Sequence, residues 1–209
     1  MNTIRAGVIC WIGTAVFFVG QAIAQAWVRA PYSMIDNYVS DLGAVDCGSV
    51  SVGIYRAQVC SPLHGFMNAG FVLTGVGIVL GTLLLRPLWP TGRWRTAATV
   101  LLVLGGVGKI IAGMSPEDLC PVAHLGGAVF SGPVATIGVL VLARAVGAEH
   151  RVLARILLGC GLVGVAGLLL SAAASQGIGL GVGITERIAA YPTIIATTLA
   201  GGWLLIKLD

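Results

Sequence analysis

Charge is what this chain has least of. Asp, Glu, Lys and Arg together make up 10% of its 209 residues, against about 25% in a soluble domain. That is too little to coat a water-facing surface, and it excludes an ordinary soluble fold. Aromatic residues are also few, at 7%. Long polar connectors are missing on one side, where the stretches from Arg86 to Arg95 and from Arg144 to Arg151 leave no room for a soluble domain. There is no Gly-x-Ser-x-Gly elbow, no His-Glu-x-x-His helix and no phosphate-cradling glycine loop. The sequence therefore lacks the familiar motifs of serine, zinc and phosphate chemistry.

What is present is apolar. Hydrophobic residues make up 57% of the chain. They fall into six runs near 6–28, 63–85, 96–113, 121–143, 152–175 and 187–206. A membrane-crossing helix needs about 20 mostly apolar residues. The runs are continuous and do not alternate, which disfavours a β-barrel. The expected fold class is all-α: a polytopic integral membrane protein, one domain over 1–209, built as a six-transmembrane-helix bundle. Arg5 before the first run, and Ala22-Ile23-Ala24 near its end, resemble a signal peptide. The run is longer than a signal core of roughly 7–15 residues, so it is expected to stay as the first span.

The net charge of +4 is distributed by topology and leaves no nucleic-acid footprint. Arg5, Arg86, Arg93, Arg95, Arg144, Arg151, Arg155 and Lys207 flank one set of helix ends, and Arg29, Arg56, Lys109 and Arg187 the other. The positive-inside bias makes the first set cytoplasmic, with both termini inside. Asp36, Asp41, Asp46, Glu117, Asp118 and Glu186 then lie on the outer side. The expected location is a cell membrane, multi-pass, with membrane lipids as partners and protein partners left open.

The outer connectors carry the unusual residues. In the first, Ile35, Tyr38, Val39 and Leu42 repeat at helical spacing opposite Asp36, Asn37, Ser40 and Asp41. This predicts a short amphipathic helix over about 33–43, ended by Gly43 as a C-cap. The run from Gln176 to Gly183 carries a glycine at every second position, which reads as a flexible hairpin or as close backbone packing. Gly77 and Gly81 form a small-residue packing pair by the same rule. Cys10 and Cys160 lie inside runs as small fillers. Cys47, Cys60 and Cys120 fall outside, where one disulfide is permitted and its pairing is open.

Two segments echo each other. Cys60-Ser61-Pro62-Leu63-His64 opens the second run and Cys120-Pro121-Val122-Ala123-His124 the fourth. Proline suits a first helical turn, so both histidines are expected at equal depth beneath the outer surface. His64, His124 and one acid, Asp41 or Asp118, make an open metal ligand set. The same histidines could serve as axial haem ligands, or as acid–base groups beside carboxylates. A zinc site from Cys60, His64, Cys120 and His124 ranks below these. Asn68 shares a helix face with His64. Lys109 lies one turn inside its run, where a lysine pairs or snorkels. Glu117 and Asp118 follow it closely and are its expected partners.

Asn37-Tyr38-Val39-Ser40-Asp41-Leu42-Gly43 after the first run resembles the signature of a bacterial membrane family, that of domain of unknown function 998. Gly113-Met114-Ser115-Pro116-Glu117-Asp118, with His124 beyond it, is similar to that family's second signature, and His64 also fits. The resemblance covers nearly the whole chain. Ser115 stands where the family commonly has an aromatic residue, and the loop cysteines are not general to it, which argues against them as functional ligands. The resemblance implies six membrane helices and no particular activity.

The expected site is thus a polar cluster at the outer mouth. Asp41, His64, Asp118 and His124 are its candidate catalytic groups, and Ser40, Asn68, Lys109 and Glu117 its candidate substrate-binding groups. His64, His124 and Asp41 are the candidate metal ligands, with a divalent metal ahead of haem as cofactor. The expected role is to bind or process a lipid headgroup or small amphiphile. The alternatives are a non-enzymatic transporter or accessory subunit, and a haem-bearing electron carrier.

Overall fold

In the computed structural model, residues 2–147 and 149–208 are described. Six helical stretches are long and apolar enough to cross a membrane: Thr3–Ala26, His64–Leu88, Arg93–Met114, Pro121–Val146, Arg151–Ala174 and Val182–Leu208. Each span packs on the next in chain order, and the sixth closes on the first. The first connector and the glycine-rich one meet at one end of this ring, the loop end. The start of the first span and the end of the sixth lie at the other, the terminal end.

Two spans are interrupted. The first consists of α1 (Asn2–Gly13) and α2 (Val16–Ala26). Backbone groups freed inside a bilayer must find partners within the protein. Here Thr74 donates its hydroxyl to Thr14 O at 3.0 Å. The Thr14 hydroxyl bonds Trp11 O at 2.7 Å and the Thr197 hydroxyl at 2.9 Å. The fourth span is α5 (Pro121–Val129) and α6 (Ala135–Val146), joined by a π-helical turn over Phe130–Val134 that contains Pro133. Proline has no N–H to give a regular helix, and single π turns of this kind frequently occur at functional sites.

The remaining spans are α3 (His64–Leu85), α4 (Arg93–Met114), α7 (Arg151–Ala174) and α8 (Val182–Leu208). Small residues bring them together, as expected without a hydrophobic drive between helices in lipid. Gly77 packs on Cys10 O and Gly81 on the Trp11 ring, so the expected pair seats the first span on α3. The core of the terminal half holds Val8, Trp11, Ile78, Leu85 and Leu102, and that of the loop half Phe17, Leu42, Met67, Phe71 and Ile194.

The first connector departs from expectation. No α-helix forms over 33–43; the helical part is a single 3-10 turn, Ser40–Gly43. Side-chain bonds cap one turn at Ser33, and Asn37 N donates back to Ser33 O at 2.8 Å, but the winding goes no further. Asn37 Oδ1 accepts from Ser33 N at 2.9 Å, and the Ser33 hydroxyl accepts from Ile35 N at 3.2 Å. Val39, Ser40, Asp41 and Leu42 are all buried, so the segment plugs the bundle mouth. Gly43 does not act as a left-handed cap. A Cβ there would lie 2.4 Å from Asn68 Oδ1, so the glycine admits the Asn68 side chain.

The all-α expectation also missed a small hairpin. Strands β1 (Gly48–Val52) and β2 (Tyr55–Val59) pair antiparallel, with Gly53 in the turn at φ +58°. Five residues a side are too few to stand alone. The Cys47–Cys60 disulfide closes the hairpin's base, which removes Cys60 from any zinc set. Cys120 is free and exposed.

Candidate functional site

The plug lowers Asp41 into the loop-end mouth. Asn37 Nδ2 donates to Asp41 Oδ2 at 3.0 Å, and the Tyr55 hydroxyl donates to the same oxygen. The hairpin therefore has a structural task, since it delivers Tyr55 to Asp41. Burial raises the Tyr55 phenol well above its ordinary pKa, and the bond to Asp41 adds to the effect. Tyr38, stacked edge-on against Tyr55 at 4.6 Å, is also raised, by burial first and by Glu186 next.

Glu117 meets Asp41 from the connector between α4 and α5. Burial pushes its carboxyl up to about 9, helped by the hydrogen bond and charge of Asp41 and opposed by Ser40. Asp41 Oδ1 and Glu117 Oε1 are buried and have no partner of fixed hydrogen. A proton held on Glu117 and given to Asp41 joins the two, because two bare carboxylates cannot share a site.

A second compartment lies beside this pair. It is a cavity of about 160 Å³, whose polar lining is Lys109, His124, Ser131, Ser171 and Glu186. Val39 links the two compartments. It lines the cavity, and its N–H donates to Glu186 Oε2 at 2.5 Å. Lys109 is 2% exposed. Its Nζ sits 4.8 Å from the centre of the Phe17 ring and 5.1 Å from that of Phe71. Glu117 and Asp118, its expected partners, are engaged elsewhere. Among the described residues Lys109 has no hydrogen bond or ion pair; the acid that shares its cavity is Glu186. His124 Nδ1 lies 3.1 Å from Ala112 O and 2.9 Å from Ser115 O. Both partners are acceptors, so Nδ1 carries a hydrogen and Nε2 is the nitrogen left to the cavity.

Of the expected residues, the structure gathers Ser40, Asp41, Lys109, Glu117 and His124 into these two compartments. It holds three apart. Asp118 Oδ2 accepts from Val45 N at 2.9 Å and Asp46 N at 2.8 Å, fastening one loop to another. Asn68 Nδ2 donates to Gly43 O at 2.9 Å and anchors the plug. His64 bonds Ser61 O through Nδ1 and lines a different pocket, with Pro62 and Phe66. The two histidines therefore do not converge on one cavity. Among the described residues no group of three or more His, Cys, Asp or Glu side chains is arranged to hold a metal ion.

Glu186, Tyr55, Ser131 and Ser171 were not in the expected site. Glu186-Arg187 invites placement at a helix boundary, yet α8 begins at Val182 and encloses both. Arg187 is consumed structurally. It donates to Met34 O, Asn37 O and Gly183 O at 2.8–3.0 Å, and to the Tyr32 hydroxyl. An ionisable pair inside an apolar run was the available signal.

No curated protein and no solved structure matches this chain. Residues 11–203 match the model of a family described as a protein of unknown function, DUF998, and the chain, six apolar spans with its signature acids at the loop-end mouth, belongs to that family.

Proposed function

We propose that this protein binds the polar head of a membrane amphiphile in the Lys109 cavity, with the loop end facing outside the cell. The carrying observation is Lys109 itself, buried at 2% exposure on the wall of a cavity, with its ammonium against two aromatic faces and in no hydrogen bond or ion pair among the described residues. A buried ammonium is costly, and Glu186, which shares the cavity, makes no direct ion pair with it among the described residues. A ligand group that supplies one removes that cost.

The cavity also has a route to lipid. Helix α6 packs closely on α7, whereas α5 makes almost no contact with it. The fourth and fifth spans thus part toward the loop end. Ala128, Gly132 and Pro133 on one side and Leu168 on the other line the cavity at this gap. Leu125, Val129 and Leu169, close by in sequence, are exposed apolar side chains suited to acyl chains. At about 160 Å³ the space is small beside ligand pockets of roughly 300–1,000 Å³. It suits a head group whose chain lies outside in the bilayer.

Filling the cavity tests this reading. Ala128→Phe places a ring in the space, and Ile9→Phe places the same ring on an exposed face of the terminal half, away from the cavity. The parent and Ile9→Phe are expected to retain about one amphiphile per protein through detergent delipidation, read by mass spectrometry of the extracted protein. Ala128→Phe is expected to lose it while remaining monodisperse. Equal retention in all three, or none in the parent, rejects the proposal.

A further inference from the structure

We infer that the head group this cavity takes is an oxyanion, a carboxylate or a phosphate on a single-chain amphiphile. The inference rests on the amphiphile reading above and names its ligand class.

The cavity's donors and acceptors carry it. Lys109 Nζ has three hydrogens and no oxygen acceptor among the described residues. The faces of Phe17 and Phe71 stabilise a cation, but by less than desolvating an ion costs. The Ser171 hydroxyl, on α7 across the cavity, is also buried without a partner. A hydroxyl and an ammonium facing one small space are two donors awaiting one acceptor. An oxyanion has at least two oxygens and satisfies both. A neutral ester or hydroxyl head satisfies the hydrogen bonds and brings no negative charge to the lysine, leaving it only the more distant Glu186.

Glu186 is the group that opposes this assignment, since it lines the same wall. Its Oε2 is already held by Val39 N–H, and the adjacent Arg187 is tied to the plug backbone. Glu186 therefore competes with an incoming anion for Lys109 and sets how tightly it is held. Removing its charge should strengthen anion binding. Removing the lysine charge should abolish the preference for anions.

The probes are myristate, 1-myristoyl-lysophosphatidate and 1-myristoyl-glycerol, which share a chain and differ in head. Binding to the full chain is measured in detergent by titration calorimetry. The parent is expected to bind at least one acidic probe about tenfold or more tighter than the glycerol ester, the scale of one hydrogen bond to a charged group. The tighter acid identifies the source as carboxylate or phosphate. Lys109→Met should bring the acidic probes to the level of the neutral one and leave the neutral one unchanged. Glu186→Gln keeps an acceptor for Val39 N–H and should tighten the acidic probes severalfold, a test that stands even if Lys109→Met does not fold. If the glycerol ester binds as tightly as the acids, or the acids keep their advantage in Lys109→Met, the oxyanion assignment fails and the amphiphile reading stands. If no probe binds the parent in competition with its retained lipid, both fail.

Discussion

Asp41 and Glu117 meet because two connectors far apart in sequence are folded into the same mouth, and their meeting makes a proton part of the structure. Unfolded, a carboxyl like Glu117 loses its proton near 4.5; folded, burial and the neighbouring Asp41 hold it up to about 9. Between those values the folded state binds the extra proton, so raising the pH favours unfolding. Below about 4.5 this penalty vanishes. The slope for one proton is at most about 1.4 kcal/mol per pH unit. Melting in detergent is therefore expected to fall as pH rises from about 5 to about 9, and to fall less in Glu117→Gln, whose amide still donates toward Asp41. Parallel melting curves for parent and variant would show that Glu117 holds no extra proton. At this scale the sequence was half legible. Charged residues are scarce enough that Lys109 stands out as a costly group at membrane depth, and Asp41 and Glu117 as acids of the outer connectors. Their partners were not legible, because nearness along the chain pointed Lys109 to Glu117 and Asp118, whereas the fold gives it Glu186 and two phenylalanines.

Elements were legible where hydrophobicity alone decides them and illegible where side chains intervene. Continuous apolar runs produce the six spans within a few residues. The segment over 33–43 has helical periodicity, but its apolar residues repeat because they plug a mouth, and its winding amounts to one turn closed by Asn37 N on Ser33 O and a 3-10 turn over Ser40–Gly43. The alternating glycines were read as close backbone packing or a hairpin, and the first reading explains two of them. A Cβ on Gly181 would lie 2.3 Å from Ile35 O, and one on Gly183 2.1 Å from Asn37 O. Both contacts are with backbone, which cannot swing aside. Ile184 N–H also donates to Ile35 O at 2.9 Å, so the start of α8 and the plug form one unit. Gly183→Ala is expected to cost about 1–3 kcal/mol by overpacking. Gly126 on α5, where a Cβ meets nothing within 4 Å, is the control, and Gly126→Ala should be neutral. Thermal denaturation of the two variants side by side decides the point; equal stability would mean that the plug is not held against α8.

For the whole molecule, the ring of six spans sorts charge between two ends, and the fold sharpens a bias the sequence only outlined. Eight basic residues flank the terminal end: Arg5, Arg86, Arg93, Arg95, Arg144, Arg151, Arg155 and Lys207. Four were counted for the loop end, but Lys109 and Arg187 are each 2% exposed and lie within the bundle. Arg29 and Arg56 alone remain in its loops. Positive charge near span ends orients membrane proteins with the richer side in the cytoplasm, and from the contrast of eight with two we propose that the terminal end faces inside and the mouth outside. The Cys47–Cys60 disulfide fits the same orientation, since an external face is oxidising. Cys120 offers a native reporter, being an exposed free thiol at the loop end, whereas Cys10 and Cys160 lie within spans. Impermeant maleimide applied to intact cells is expected to label Cys120. It should not label Arg93→Cys, made in a Cys120→Ser background, until the cells are opened. The reverse pattern would turn the molecule over and place the Lys109 cavity in the cytoplasmic leaflet.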